Sequence, residues 1–515
     1  MTLHRRTRQR IALIGDVMQS WEPLLWLVAA VLPVVIVAMR FDIGQNADGL
    51  VQTLMSLNHL TVFFWEQNRF ANLVPLLTRG IADPTMNAQA QLAIRIVAGV
   101  AAPLLFTAPL VRDGDILRVG RIALLAADLA LAFGPQRYLW EWFIEASPYG
   151  TSFALGGCAL LAFDATRRLD GVRATALRCG GLLLTVAAYM VNMSLVLFTA
   201  PLFGLLAITR GSRLAIEFGL ASAVGGIVTV IAANSVPVPH TTLRFGESFI
   251  GLTYYLWVFT QKPGYFLGAM FALFALSLGI GKALKRSSGD GLLGYGLMLL
   301  ATFAFAFVAI SLNSWVIAND LHPRYMVPLF ILAASLGAIS LVTVADATVT
   351  ARNRSRIGLG LCLAMSFMAG QRSLSTVPQD GGIVTSTIRT TATAAADELI
   401  RLRLDGVAGS YWLVWPTIFL AEQKAYDLGR PRGQFFGASE RGIARRGTLK
   451  ARLLVEGHLD FACLDLLQEP CRALVSEVVG SPLSIGQPPS PPHPVGPAHR
   501  LSVLRLTSDD AGPPL

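Results

Sequence analysis

Charged residues are scarce in this chain of 515 residues: Asp, Glu, Lys and Arg together make up only 14% of it. A typical soluble protein has about 25%, so the composition excludes an ordinary cytosolic enzyme. Hydrophobic residues make up 53%, which excludes an intrinsically disordered protein because disorder requires low hydrophobicity. Uncharged apolar runs recur along the chain, and runs of about 18 or more residues are typical of membrane-spanning helices. The sequence therefore predicts a mostly α-helical, polytopic membrane protein.

About eleven spans are predicted. The first runs from Pro23 to Met39; it is long for a signal-peptide core and has no small-residue cleavage site, so we expect it to be retained. The others lie at roughly 92–111, 119–134, 150–164, 180–197, 198–209, 214–234, 264–281, 291–312, 325–345 and 357–371. The pair between Gly180 and Ile208 has a second interpretation, because Pro201 allows a re-entrant segment.

Acidic residues are fewer than basic ones, 32 against 42, which gives a formal net charge of +10. The basic residues concentrate in alternate loops: Arg112/Arg118/Arg121, Arg167/Arg168/Arg173/Arg178, Arg210/Arg213, Lys282/Lys285/Arg286 and Arg352/Arg354/Arg356. Cytoplasmic loops are enriched in Lys and Arg, so the excess of positive charge is explained by the cytoplasmic loops of a protein in the inner membrane. No nucleic-acid partner is therefore predicted. The N-terminus is predicted to be cytoplasmic, and an odd number of spans then places everything after Gln371 outside the cytoplasmic membrane.

The chain changes character from Arg372 to Leu515, where charges occur throughout. A helical stretch near Thr387–Leu404 and short apolar runs predict a small α/β domain outside the membrane. A Pro-rich segment, Ser481–Pro497, is predicted to form an extended tail. The membrane part of the chain is accordingly residues 1–371 and the exported domain is residues 372–515.

Cysteine is rare, with five residues in the chain. Cys158, Cys179 and Cys362 fall in or at the ends of predicted spans, where a buried thiol behaves as a small apolar residue. Cys463 and Cys471 lie close together in the predicted exported domain, where a disulfide can persist. A metal site needs more ligands than this pair offers, so a disulfide is predicted.

The first external loop, residues 40–91, is much longer than a usual connection, and long ordered loops are often functional. From Asp48 onwards apolar residues recur at helical spacing: Leu50, Val51, Leu54, Met55 and Leu57. The opposite stripe is polar: Asp48, Gln52, Ser56 and His59. This pattern predicts an amphipathic helix in the membrane interface with its apolar side towards lipid. A second interpretation is that Asp48 only caps this helix.

Two other segments place cations beside aromatic residues at the predicted outer surface. Glu66 and Arg69 follow the run Phe63-Phe64-Trp65; they could form an ion pair of little energetic value, or Arg69 could bind a phosphate. Arg324 and Tyr325 lie at the start of a late span, at the depth of a lipid phosphate. A simple membrane anchor is the more common explanation for such a pair.

Two motifs and one loop recur together in a known group of membrane proteins. His322-Pro323-Arg324-Tyr325-Met326-Val327-Pro328-Leu329 has the form RY-x-x-P at the start of a late span, and Gly406-Val407-Ala408-Gly409-Ser410-Tyr411-Trp412-Leu413-Val414-Trp415-Pro416 lies in the exported part. A long first external loop, with an early acidic residue and an interfacial helix, precedes both. In this combination the chain resembles the GT-C superfamily of polyprenyl-phosphate-dependent membrane glycosyltransferases.

The resemblance implies a membrane enzyme that moves a sugar from a polyprenyl-phosphate donor to an envelope lipid, glycan or protein. A general base must then deprotonate the acceptor hydroxyl. This base is either Asp48 or Asp42, because the adjacent acidic pair of the family is separated here. The leaving phosphate needs cations and hydrogen-bond donors, for which four candidates lie on the predicted outer side: Arg324, Arg69, Arg244 and Tyr325.

Further polar residues on that side are candidates for a second acid or for acceptor binding: Glu141, Glu145, His59 and Glu66. The resemblance leaves a divalent metal ion open as a cofactor. Two other functions also remain open, a transporter or flippase of an envelope precursor and a scaffold whose exported domain binds a partner. A transporter should carry several costly polar groups at mid-membrane, and only Asp128 and Asn192 qualify, which favours the transferase.

Overall fold

The structure of the chain is a computed structural model. It describes residues 22–39, 46–65, 67, 70–107, 116–145, 149–210, 213–236, 248–283, 291–313, 316–317, 319–348, 351–375, 386–439, 442–487, 490–495 and 498–508. The chain is mostly helical, with a small sheet in its C-terminal part. At this level the predicted fold class is confirmed.

In the first part of the chain, the described residues between 22 and 375 are mostly helical. Its helices are α1 Glu22–Met39, α2 Ala47–Leu57, α3 Leu73–Thr78, α4 Pro84–Ala101, α5 Leu104–Thr107, α6 Ile116–Phe133, α7 Gln136–Phe143, α8 Tyr149–Ala165, α9 Gly171–Val191, α10 Val196–Arg210, α11 Arg213–Asn234, α12 Ser248–Phe259, α13 Lys262–Ala283, α14 Gly291–Ser311, α15 Val327–Thr348 and α16 Ala351–Ser375. Short 3-10 turns connect some of them, including Pro323–Met326 before α15.

Within the described residues, seven helices are long and apolar enough to cross a membrane: α1, α9, α11, α13, α14, α15 and α16. The chain is therefore a multi-pass membrane protein. Further predicted spans fall on α4, α6, α8 and α10, and the number of about eleven stays a prediction. Besides α2, which was predicted, three helices lie in segments that were predicted to be external loops: α3, α7 and α12.

The central helix of the membrane part is α15. In its most apolar stretch of 18 residues, 78% is buried, whereas the corresponding stretches of the other six candidate spans are 22–44% buried. The helix packs against α6, α13 and α14. Gly337 permits the close approach of α13, since a Cβ there would lie 2.4 Å from the Sδ atom of Met270. Arg324 precedes this helix and Asp346 lies near its end, so α15 connects the two ends of the bundle.

The C-terminal part folds around a sheet. Its elements are α17 Ser386–Leu402, β1 Gly406–Ala408, α18 Tyr411–Asp427, β2 Phe436–Ala438, α19 Arg446–Glu456, β3 His458–Leu464, α20 Gln468–Val479, β4 Leu483–Ile485, β5 His493–Pro494 and β6 Arg500–Ser508. The strand order is β2-β1-β3-β6-β4, with β5 also paired to β6. β2, β1 and β3 are parallel, and β6 is antiparallel to β3, β4 and β5.

Helices cover both faces of this sheet. Because side chains alternate along each strand, neighbouring residues of β1 contact helices on opposite faces. Val407 packs with α17 and α18 on one face, and Ala408 packs with α19 and α20 on the other. A disulfide joins Cys463 on β3 to Cys471 on α20, as the sequence predicted.

The described residues of the Pro-rich segment 481–497 belong to the sheet and do not form a tail. The segment supplies β4 and β5, and β6 follows it as a long strand of the sheet. Proline lacks an N–H and is tolerated at sheet edges, and Pro494 lies on the short strand β5. A proline-rich composition did not distinguish such edge strands from a free tail.

Candidate active site

Asp48 lies in the first turn of α2, and Asn46 rather than Asp48 caps the helix. The Oδ1 atom of Asn46 accepts a hydrogen bond from the N–H of Gly49 at 3.0 Å. The Oδ1 atom of Asp48 instead accepts a hydrogen bond from the hydroxyl of Tyr411, the first residue of α18. The side chain of Asp48 is therefore positioned by the C-terminal part of the chain, and the interpretation as a mere cap does not describe it.

Both the apolar face and the polar face of α2 contact other parts of the protein. Its apolar residues Val51, Leu54 and Met55 are buried in one cluster with residues of α17 and α18, including Trp415. On the polar face, Ser56 accepts a hydrogen bond from Nδ2 of Asn87 on α4 at 3.1 Å. The helix is amphipathic as predicted, but its apolar side packs on the C-terminal part of the chain rather than on lipid.

Glu145 follows α7 and meets the start of α2. Its Oε2 atom accepts hydrogen bonds from Nδ2 of Asn46 at 2.6 Å and from the indole N–H of Trp140 at 3.2 Å. The guanidinium of Arg95, a buried residue of α4, attracts the same carboxylate. Glu145 therefore ties α7 and α4 to the cap residue that lies two positions before Asp48.

Glu141 is a buried carboxyl group on α7. Burial and the neighbouring carboxylate of Glu145 raise its pKa above the usual range, and the guanidiniums of Arg324 and Arg137 act in the opposite direction. The charge of Asp48 also acts on Glu141. The three carboxyl groups and the two arginines thus form one electrostatically connected cluster.

Arg324 lies in the 3-10 turn Pro323–Met326, at the end of α15 nearest to Glu141. Its guanidinium is 5.3 Å from the ring centre of Tyr325 and donates to the Tyr325 hydroxyl at 3.5 Å. The Nε2 atom of His322 lies 2.7 Å from a guanidinium nitrogen of Arg137. Burial and the two arginines lower the pKa of His322 to about 4, so the imidazole adds no positive charge at neutral pH.

The structure brings together five of the residues singled out in the sequence: Asp48, Glu141, Glu145, Arg324 and Tyr325. His59 is not part of the helix stripe, because α2 ends at Leu57 and the His59 side chain is exposed. The remaining candidates lie outside the described residues: Asp42, Glu66, Arg69 and Arg244.

Sequence reasoning missed Tyr411, Arg95 and Arg137. Tyr411 was quoted only as part of a motif, and its contact with Asp48 spans 363 positions in the chain, which periodicity cannot detect. Arg95 could have been found in the sequence. A single arginine in an apolar run is energetically unfavourable in a membrane unless a partner compensates its charge.

Across the described ranges, no group of three or more His, Cys, Asp and Glu side chains is placed to hold a metal ion. The chemistry available in the cluster itself is that of carboxylates beside guanidiniums. A carboxylate can take a proton from a hydroxyl group, and a guanidinium can bind a phosphate through two parallel hydrogen bonds.

One solved protein with a similar fold is ArnT, a GT-C glycosyltransferase. ArnT from Cupriavidus metallidurans bound to undecaprenyl phosphate superimposes with a TM-score of 0.52 at 13% identity, over 96% of this chain and 99% of that one. Its apo state gives a TM-score of 0.53 at 13% identity, over 97% and 100%. This chain has a GT-C fold. The resemblance inferred from the sequence is thereby confirmed for the fold, over nearly the whole length of both chains.

An oligosaccharyltransferase from Archaeoglobus fulgidus is a weaker neighbour, with a TM-score of 0.41 at 14% identity over 78% of this chain and 63% of that one. No protein-family model and no curated protein matches the sequence. The GT-C fold of this chain is therefore recognised through its structure.

The buried Glu141 should make the stability of the protein depend on pH. The pKa of Glu141 is raised in the folded state. The stability that this residue contributes is therefore fully present below the ordinary pKa of 4.5 and is lost as the pH rises through the pKa of the folded state. In Glu141→Gln, which cannot ionise, the melting temperature should fall less steeply than in the wild type between about pH 5 and pH 9. Thermal unfolding in detergent measures this; the exposed Glu477→Gln is the control. Equal slopes for Glu141→Gln and the wild type would contradict the assignment.

Proposed function

We propose that the chain is a membrane glycosyltransferase that transfers a sugar from a polyprenyl-phosphate donor to an envelope lipid, glycan or protein. The reaction takes place at the outer face of the cytoplasmic membrane. The observation that carries the proposal is the cluster of Asp48, Glu141 and Arg324, which come from α2, α7 and the turn before α15. A carboxylate beside a partly buried guanidinium suits a reaction that removes a proton and releases a phosphate.

Each member of the cluster has a role in this scheme. Asp48 acts as the general base that accepts the proton of the acceptor hydroxyl, and Asp42 is the alternative. Arg324 and Tyr325 bind the leaving phosphate, since a guanidinium and a hydroxyl both donate to phosphate oxygens. Glu145 holds the start of α2 in place through its hydrogen bond with Asn46, and Glu141 lies within the electrostatic field of both arginines. The undecaprenyl phosphate bound to the ArnT neighbour supports the donor class.

A donor panel tests the proposal. Purified protein is reconstituted with polyprenyl-phosphate donors that differ only in the sugar, together with an envelope lipid extract as the source of acceptor. We expect one donor to be consumed with release of free polyprenyl phosphate. Repeating the reaction with a chelator tests whether a divalent metal ion is required. A panel in which no donor is consumed would count against the proposal.

The proposed orientation predicts the location of reporter fusions. Because cytoplasmic loops are enriched in Lys and Arg, fusions should report the outside after Met39, Asn234 and Gln371. Fusions should report the inside after Arg121, Arg178 and Arg286. An inside signal after Gln371 would place the Cys463–Cys471 disulfide in a reducing compartment and would overturn the orientation.

Tyr411 positions the base from the C-terminal part of the chain. Tyr411→Phe keeps the ring that packs near Trp415 but removes the hydroxyl that donates to Asp48. We expect the rate of transfer to fall about tenfold, the effect of losing one hydrogen bond to a charged group, with little change in donor KM. Tyr426→Phe, an exposed tyrosine on the same helix, is the matched control. Equal rates for both variants would contradict this role.

A further inference from the structure

A second cluster of arginines lies at the opposite end of the bundle from Asp48. Arg118 and Arg121 lie near the start of α6, Asp346 lies near the end of α15, and Arg354 lies near the start of α16. These four residues line an open cleft of about 310 Å³ between the three helices, which we call the basic cleft. Under the proposed orientation it opens at the cytoplasmic surface.

The polar groups of the basic cleft carry an excess of positive charge. Arg118 contacts Asp346 at 2.7 Å and Arg354 contacts it at 3.5 Å, so two guanidiniums share one carboxylate. Arg121 lies over the ring of Trp26 on α1, 5.3 Å from its centre. The three arginines and the one aspartate among the lining residues have a formal net charge of +2.

The deeper wall of the basic cleft is apolar. Leu125 is one turn further into the bundle than Arg121, Leu341 is more than one turn before Asp346, and Leu361 is nearly two turns beyond Arg354. The cleft is therefore cationic at the membrane surface and hydrophobic towards the membrane interior. The side chains of Arg118 and Arg354 are 34% and 38% exposed, so a ligand can reach both.

From this arrangement we propose that the basic cleft binds an anionic phospholipid, with the phosphate between the three arginines and an acyl chain along the leucines. Basic pockets between membrane helices are suited to anionic lipid head groups, and a guanidinium matches the geometry of a phosphate. A volume of about 310 Å³ is sufficient for a small head group such as phosphatidylglycerol. This site is separate from the Asp48 cluster and does not depend on the proposed transferase activity.

Lipid binding is measured by native mass spectrometry of the delipidated full chain in neutral detergent. Dioleoylphosphatidylglycerol should bind tightly at one site, and dioleoylphosphatidylcholine, which has the same chains but no net charge, should bind at least tenfold more weakly. Inorganic phosphate at millimolar concentration distinguishes a free anion from a lipid. If phosphate displaces phosphatidylglycerol from this site, the ligand is a soluble anion and the lipid proposal is overturned.

Removing a basic residue and removing the acidic residue of the basic cleft should change the affinity for phosphatidylglycerol in opposite directions. Arg121→Gln should weaken phosphatidylglycerol binding about fivefold, the effect of about 1 kcal/mol for one basic residue near an anionic group, whereas Arg121→Lys should weaken it less. Asp346→Asn removes the competing carboxylate and should strengthen binding. Arg173→Gln, an exposed arginine at the start of α9, is the matched control. Unchanged affinity in both Arg121→Gln and Asp346→Asn would overturn the proposal.

Discussion

Asp48→Asn should leave a folded protein whose sugar transfer is about 10²–10⁴-fold slower, the usual contribution of a general base. Asparagine has the size of aspartate, and its carbonyl oxygen can still accept the hydrogen bond from Tyr411. The helix cap is Asn46, so the start of α2 should keep its stability. The loss would therefore report the missing base and not a local unfolding.

Two further variants make this result specific. Asp83→Asn changes another aspartate of the same loop, a half-buried residue that caps α4, and should transfer sugar at the wild-type rate because asparagine is an equally good cap. Asp42→Asn tests the alternative base. If only Asp42→Asn is inactive, Asp42 is the base; if both folded variants transfer at the wild-type rate, neither carboxylate is.

Arg324→Ala should lower the kcat/KM for the donor about 10–100-fold, because it removes hydrogen bonds from a charged group to the phosphate, each contributing about 1.5–3 kcal/mol. Arg324→Lys keeps the charge but loses the planar fork that binds two oxygens, so its loss should be smaller. Steady-state kinetics with a single donor measure both.

The control for Arg324 is Arg79→Ala. Arg79 is an exposed arginine in the same predicted external loop as Asp48, beside the end of α3, and it should leave donor use unchanged. Wild-type kinetics in Arg324→Ala would show that Arg324 only anchors the helix end at the membrane surface.

Local pattern was sufficient to predict several features of the fold and the site. The spacing of apolar residues predicted α2 and placed Asp48 in its first turn, because helical periodicity is a property of neighbouring residues. The RY-x-x-P resemblance predicted that Arg324 and Tyr325 precede a late span, and they lie in the turn before α15. The proximity of Cys463 and Cys471 within the predicted exported domain led to the prediction of the disulfide that the structure contains.

Contacts between distant parts of the chain could not be predicted in this way. An apolar stripe such as Val51 and Leu54 has the same appearance whether it packs on lipid or on protein, and only the folded chain shows that it packs on α18. The hydrogen bond from Tyr411 to Asp48 depends on the docking of the C-terminal sheet and helices on the membrane helices. The spacing of apolar residues also did not predict that α2 ends at Leu57, which excludes His59 from its polar stripe.

The most direct test of the account is the chemical fate of the donor in proteoliposomes that contain the purified full chain and an acceptor lipid extract. A transferase must break the bond between sugar and phosphate, so wild-type vesicles should accumulate free polyprenyl phosphate while vesicles with Asp48→Asn keep the donor intact. A transporter would move the donor across the bilayer without cleaving it. Intact donor crossing the wild-type bilayer, with no polyprenyl phosphate released, would contradict the account.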